Sequence, residues 1–500
     1  MLNCLVRPQA LESAWLNSFI FDRLQYFYQL IIFIMNPEIG GQLWAHFITP
    51  FDFLLLPFYL LIVYYIAFRY CNKLYPRRHS STHPWRKYFI AGLTLKIFGG
   101  VFIGLVYEYY YSGGDTSAFF YHAKVINQSL SDSPVKWVSL LFHIPDVYDP
   151  QYYEYTNQML WYNNRSAYMV SGITAVFSVL TFNTYLPTSI LFAAMSFTGA
   201  WAMFRTFAEQ YPKLVKPIAI CILFIPSTFV WGSGIFKDTI CMAALGWMVF
   251  ACFRMLIRKQ FRMKYLWVIM LCFFLLVVIK VYIVLVFIPA LALWILNTYS
   301  HKIKNTVARS GLKIFVYASI VGGFIAVTAL FAEQLGQYSL DNLAQTSNTT
   351  RSYIYWASST TADEGSKYDL GGFDPTPLGM LSKFPLAVNV SLFRPYIWES
   401  RKPMVLLNSL EASLFLFFTL KLLFVIGFRG IWRSISKSPN IQFFLIFTII
   451  FAFAVGISSY NFGALSRYRI PCLPFFALSL ALIWYDNKPV NHDFFSLRFK

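Results

Sequence analysis

Charge is what this chain has least of. Only 13% of its 500 residues are Asp, Glu, Lys or Arg, and just 22 of those are acidic, against roughly 25% charged residues in a soluble domain. A chain that is 57% hydrophobic and 20% aromatic has too much apolar surface for one water-soluble core, so a single globular enzyme domain is excluded. Cysteine is scarce and scattered. Cys4, Cys71, Cys221, Cys241, Cys252, Cys272 and Cys472 form no CxxC pair, and most lie inside apolar runs. That spacing offers neither a disulfide framework nor a zinc site. HExxH, a P-loop, a GxGxxG opening a βαβ unit and a GxSxG elbow are all missing, which removes the commonest signatures of metalloprotease, nucleotide-binding and serine-hydrolase chemistry. No internal repeat or low-complexity tract stands out. The opening "MLNCLVRPQALESAW" lacks the compact basic, apolar and small-residue order of a signal peptide, so none is expected to be removed.

What is abundant is long apolar runs. They occupy 19–36, 51–70, 89–110, 167–183, 185–205, 217–233, 239–257, 265–279, 281–298, 314–332, 404–428, 441–458 and 471–485. Many approach the roughly 20 residues that span a bilayer. The first is weakened by Asp22 and Arg23. Tyr and Trp gather at many run ends, as an interfacial aromatic belt does. The class expected is an all-α polytopic membrane protein.

The net charge of +19 follows from orientation rather than from a nucleic-acid partner, because the cations sit in short loops and form no separate basic domain. "CNKLYPRRHSSTHPWRKYF", "RMLIRKQFRMKY", "HKIKNTVARSGLK" and "FRGIWRSISKS" are placed in the cytoplasm by their Lys/Arg bias. Keeping all four inside requires one run between Tyr111 and Lys264 not to cross. The run 167–183 is the choice, since it is short and carries Ser171, Thr174 and Ser178. It is expected to be re-entrant or to lie on the membrane surface. About twelve transmembrane helices remain, with both termini cytoplasmic. The expected organisation is an N-terminal part over 1–88, a transmembrane module over 89–485 with outer loops 111–166 and 333–403, and a cytoplasmic tail over 486–500. A surface helix is expected after Asp115, with Ala118, Phe119, His122, Val125 and Ile126 on its membrane side.

The residues able to carry chemistry lie on the predicted outer face. In "SGGDTSAFFYHA", two glycines precede Asp115. An acid there can act as a general base or hold a metal, and it can equally cap a helix starting at Thr116. "WGSGIFKDT" sets Lys237 and Asp238 behind a Gly-Ser-Gly turn, which suits phosphate or metal contact, while Asp238 as a helix cap and Lys237 as a snorkelling cation are the plainer readings. Lys280, in "VVIKVYIV", is an ionisable residue in an otherwise apolar stretch; snorkelling at an outer helix end is its alternative. In "SLFRPYIWES", Arg394 and Glu399 are spaced to pair. Arg467 and Arg469 in "SRYRIPCLPF" stand where cations are rare, and in an extended segment both would face one anion, for which guanidinium is well shaped. His122 lies about two helical turns beyond Asp115, where a histidine at the membrane interface is as good a reading as a ligand. Tyr107, Glu108 and Trp398 can line a cavity, with aromatic girdling the alternative for Tyr107 and Trp398.

The order of these elements resembles the GT-C superfamily of membrane glycosyltransferases: an outer acid after an early spanning helix, then surface helices, a Gly-rich acidic second loop and a late Arg-Tyr-x-x-Pro-x-x-Pro-Phe-like "RYRIPCLPF". Members use polyprenyl-phosphate or polyprenyl-diphosphate sugars. The resemblance implies a GT-C-like fold over residues 89–485, Asp115 as catalytic or acceptor-positioning carboxylate, and Arg467 and Arg469 on the donor phosphate. It also implies Asp238 as a second-loop acid and, where a metal is used, Mg2+ or Mn2+ on Asp115 and Asp238. This sequence departs from the usual paired acid, since Thr116 and Ser117 follow Asp115, and two apolar runs precede the helix that leads to it. The expected reaction is inverting sugar transfer at the extracytoplasmic face from a polyprenyl-phosphate-linked donor to a glycan, lipid or protein acceptor. Asp115 would be the acceptor base, with Lys237, Lys280, Arg394 and His122 among the substrate contacts, and the loop 333–403 would cover the site. Two alternatives are a polysaccharide polymerase or ligase using lipid-diphosphate glycans, and a lipid or glycan transporter.

Overall fold

The computed structural model describes residues 46–76, 83–300, 367–374, 376–489 and 492–496, with scattered positions between 305 and 352. The run 19–36, most of the run 314–332 and most of the loop from 333 to 366 lie outside the described residues. The described chain is helical. In order the helices are α1 (Pro50–Leu74), α2 (Lys87–Tyr109, entered through a 3-10 turn at Pro84–Arg86), α3 (Asp115–Asp132), α4 (Pro134–Leu141), α5 (Tyr153–Thr156), α6 (Arg165–Leu180), α7 (Tyr185–Ala208), α8 (Val215–Leu223), α9 (Pro226–Val230) and α10 (Lys237–Cys252, ending in a π turn). There follow α11 (Met263–Ser300), α12 (Pro377–Ser382), α13 (Phe384–Phe393), α14 (Pro403–Lys437), α15 (Pro439–Ser459), α16 (Phe462–Tyr468) and α17 (Leu473–Asn487). An isolated bridge joins Lys367 to Asn461.

Among the described residues seven helices are long and apolar enough to cross a membrane, or eight if the α16–α17 pair, bent by 68°, is one span. The protein is thus an all-α multi-pass membrane protein. α1 is apolar nearly all round and leaves Leu54, Leu61, Tyr65 and Ile66 more than half exposed, as expected of a helix that meets lipid rather than a protein core.

Several apolar runs differ from their simple reading. The run 217–233 is not one spanning helix: α8 has 9 residues and α9 has 5, and the chain from Trp231 to Phe236 is non-helical and buried. Pro226 causes this break, because proline has no N–H to continue α8 and its ring disfavours a helical residue before it. The runs 265–279 and 281–298 join in the 38-residue α11, with non-helical φ/ψ (−148°, 78°) at Lys280. The run 167–183 forms the 16-residue α6, about 24 Å long and shorter than the ~30 Å hydrocarbon core.

The chain divides into two compact units. The first comprises residues up to Pro57 and Gly104–Thr188; the second comprises Phe58–Ile103 and Ser189–Lys500. In the first, α3 packs against α4 and α6 around Tyr121, Val125, Ile126, Leu140, Tyr162 and Tyr168. The expected surface helix is therefore buried protein: Ala118, Phe119, His122, Val125 and Ile126 are each at most 2% exposed. Asn127 is its polar pin, donating to Ser178 Oγ (2.9 Å) and Asn183 Oδ1 (2.8 Å) and accepting from Trp137 Nε1 (2.9 Å).

In the second unit, α15 packs against α11, α13 and α17. Phe207, Phe253, Trp294, Phe443 and Phe475 form its aromatic centre, with Trp294 stacked 4.5 Å from Phe443. α7 and α10 cross at Gly199 and Gly246, where an added Cβ would sit 2.2 Å and 2.1 Å from opposing carbonyl oxygens. Small residues at a crossing let membrane helices approach closely. The tail expected over 486–500 docks where it is described: Phe494 is 1% exposed, and Lys421 of α14 donates to the Phe494 and Ser496 carbonyls at 2.9 and 2.6 Å.

Candidate functional site: a buried charge cluster at helix breaks

The site grows from the break after α9. Backbone that leaves a helix inside a membrane protein is tolerated only where protein satisfies its polar groups. Here side chains do so. Lys96, 3% exposed near the middle of α2, donates to the carbonyls of Thr228 (2.9 Å) and Gly232 (2.8 Å) and to Ser196 Oγ (3.0 Å). Ser196 Oγ donates to the Gly232 carbonyl and Thr239 Oγ1 to that of Gly234, both at 2.6 Å. The segment "WGSGIF" is therefore a pinned, buried turn.

That turn delivers Asp238 to the start of α10. The helix opens one residue earlier, with Phe236 at the N-cap position and Lys237, half-buried, in its first turn. Asp238 is thus not the cap. It is 1% exposed and faces two cations: Lys280 Nζ donates to Oδ1 at 2.5 Å, and Arg467 Nη2 lies 3.6 Å from Oδ2. Lys280 comes from the break in α11 and Arg467 from α16. Lys280, 7% exposed, is no snorkelling residue. Its ammonium sits 4.5 Å from the Tyr468 ring, and the Arg467 guanidinium lies 4.8 Å from Phe236 and 5.9 Å from Trp231. Among the described residues, one buried carboxylate here gathers two cations.

Arg469 does not join Arg467. Their segment is helical rather than extended, so side chains two positions apart diverge by about 200°. Arg469 is fully buried. Its guanidinium donates to the carbonyls of Arg394 (2.8 Å) and Ser391 (3.2 Å) and lies 3.7 Å from Glu411 Oε1. Glu411 in turn accepts from Ser227 N (2.8 Å) and Oγ (2.7 Å) at the start of α9. The expectation that both arginines face one anion is corrected: Arg467 joins the cluster, while Arg469 ties α16 to α13, α14 and α9. Arg394 pairs with Glu399, which also accepts from Tyr396 N at 2.8 Å. Its guanidinium stands 5.5 Å from Phe462.

Asp115 and His122 belong to the first unit. Asp115 is the first residue of α3 and half-buried, and the cap is Gly114, at φ +140°. Glycine is required there: a Cβ would sit 2.7 Å from Tyr107. Ser117 Oγ completes the cap through Gly114 N (3.0 Å). The acid benefits from the helix dipole at this end without capping it. His122 is fully buried, 5.8 Å from the Trp161 ring, and burial lowers it to about 4, so it is neutral at physiological pH. Glu108 is 4% exposed and accepts from Phe47 N (2.9 Å) and Ile48 N (3.2 Å). Trp398 is 80% exposed.

The donor set at Asp238 does not fit Mg2+ or Mn2+, because its two oxygens face an ammonium and a guanidinium, and a hard divalent ion needs further oxygen ligands. No group of three or more His, Cys, Asp or Glu side chains poised for a metal occurs among the described residues. Sequence reading missed Lys96, Glu411 and Ser227. Lys96 and Glu411 carried the same signal as Lys280, an ionisable residue within an apolar run; Ser227 carried none. Fold and site define a multi-pass membrane protein with ion pairs buried at helix breaks. The chain matches no protein-family model, no curated protein and no solved structure.

Proposed function

We propose that this protein is a membrane glycosyltransferase of GT-C type. It moves a sugar from a polyprenyl-phosphate-linked donor to an acceptor at the extracytoplasmic face, with inversion. The observation that supports this reading is the cluster of Asp238, Lys280 and Arg467, where a buried carboxylate gathers an ammonium and a guanidinium. When an acceptor hydroxyl attacks the sugar carbon, negative charge builds on the departing phosphate. Lys280 and Arg467, already desolvated and held by Asp238, stabilise that charge with little reorganisation. Removing one such donor typically lowers turnover by about 100- to 1000-fold. The acceptor base that the sequence resemblance implies is Asp115. It is tested by itself: Asp115→Asn retaining full transfer refutes that role and leaves the phosphate contacts standing.

The breaks after α8 and within α11, together with Lys96 near the middle of a spanning helix, favour a second reading, a lipid or glycan transporter. Discontinuous helices with charged groups at depth are what transport sites use. Purified protein in vesicles separates these. The transferase reading expects a glycosylated acceptor by mass spectrometry, lost in Arg467→Ala. Movement of labelled lipid-linked sugar without covalent transfer supports transport instead. Consumption of a lipid-diphosphate oligosaccharide, with growth of a glycan, identifies a polymerase or ligase.

A further inference from the structure

A second basic site lies where α1 ends and α2 begins. A groove there is lined by Phe68, Cys71, His83, Arg86, Lys87 and Ile90. No carboxylate lines it, and Arg86 makes no ion pair among the described residues; its Nη2 donates to the neutral Asn72 Oδ1 at 2.5 Å. Two buried nitrogens of its lining have no hydrogen-bond partner among the described residues, His83 Nδ1 and Arg86 Nε. Arg86 Nε can only donate. A buried donor left unsatisfied costs about 1–3 kcal/mol, so Arg86 calls for an acceptor. The surrounding sequence agrees: residues 69–88 carry Arg69, Lys73, Arg77, Arg78, Arg86 and Lys87 and no acid.

We infer that this groove binds the phosphate headgroup of an anionic membrane lipid. A free phosphate would satisfy the donors, but it would leave the apolar wall without a function. Phe68 and Ile90 supply that wall, and α1 beside it exposes apolar side chains along its length. The acyl chains lie against that surface and the phosphate accepts from Arg86, with Lys87 adding charge. Basic pockets between membrane helices hold anionic headgroups in this way. The assignment uses none of Asp238, Lys280 or Arg467 and is independent of the transferase reading.

The test is electron paramagnetic resonance on the full chain in phosphatidylcholine vesicles, with trace spin-labelled phosphatidylglycerol or spin-labelled phosphatidylcholine. The motionally restricted fraction is expected to favour phosphatidylglycerol. Arg86→Gln with Lys87→Gln should reduce that preference about fivefold per charge removed, while Arg429→Gln with Arg433→Gln, at exposed positions on α14, should leave it unchanged. Arg86→Lys removes the guanidinium donors and keeps both charges. It should weaken the preference by a smaller factor, and it decides the matter if the double variant fails to fold. An unchanged preference in Arg86→Lys and in the folded double variant overturns the site. Displacement of the labelled lipid by inorganic phosphate overturns the lipid assignment in favour of a soluble phosphate compound.

Discussion

Replacing Asp238 by Asn should unfold this protein more readily than almost any other single change at the cluster. Asp238 is 1% exposed and Lys280 7% exposed. At an effective dielectric of about 20, an ammonium and a carboxylate in contact attract by roughly 6 kcal/mol, and much of that is offset by the cost of desolvating both. The net worth of the pair is therefore modest. Breaking it is different, because Lys280 stays buried with no counter-charge and faces Arg467 as a like charge. Loss of one partner of a buried pair costs about 3–5 kcal/mol, and Asp238→Asn should sit at the upper end because the carboxylate between Lys280 and Arg467 is lost. Lys280→Met should cost less, since Asp238 retains Arg467 at 3.6 Å. The double variant should then be more stable than the sum of the single losses predicts, by about 1.5–3 kcal/mol. Unfolding by sodium dodecyl sulfate titration from mixed micelles, followed by tryptophan fluorescence, supplies the four free energies. Additive losses would refute the pairing, and a stable Asp238→Asn protein would refute the burial of an uncompensated Lys280.

Three further outcomes follow from other parts of the molecule. Lys96→Met should cost about 3 kcal/mol by removing the Lys96 donor from the Thr228 carbonyl and leaving the Gly232 carbonyl with Ser196 Oγ alone, and hydrogen exchange should rise first over residues 226–236. His122 is held neutral by burial at a value of about 4, against an ordinary 6.5. The unfolded chain therefore takes up the proton first as pH falls, and stability that is intact above about 6.5 is lost between there and about 4, by roughly 3 kcal/mol in all. The difference in unfolding midpoint between wild type and His122→Phe across that pH range should carry this slope; a flat difference would contradict it. Phe494→Ala should destabilise by about 3–5 kcal/mol, as for a large buried aromatic, with early proteolysis of the C-terminal segment as the readout.

Class and most helix positions were legible along the chain, because apolar run length reports directly on a bilayer-sized helix. The runs beginning at 51, 89, 185, 239, 404 and 441 became α1, α2, α7, α10, α14 and α15. The pairing of Arg394 with Glu399 was legible for a similar reason, five residues being within reach of a turn. Hydropathy could not show where a run breaks. The stretch 217–233 is as apolar as its neighbours, yet it is two short helices and a buried turn, because Pro226 interrupts it and Lys96, more than a hundred residues earlier, supplies the hydrogen bonds that the turn loses. The face of the helix after Asp115 was also legible, but not what covers it. Periodicity marks an apolar face without saying whether lipid or protein lies opposite, and here α6 and α4 do.

The site divides along the same line. From sequence alone came the residue types and the suspicion attached to Asp238, Lys280 and Arg467, since charge is costly in an apolar surrounding and persists there only for a reason. Tertiary structure decided the partners. It set Asp238 between Lys280 and Arg467, residues 42 and 229 positions away, and turned Arg469 toward Glu411. It did so because α16 is helical, so that residues two apart point different ways, whatever an extended reading of "RYR" implies. An ion pair's energy depends on distance and burial, and neither is written in the order of residues.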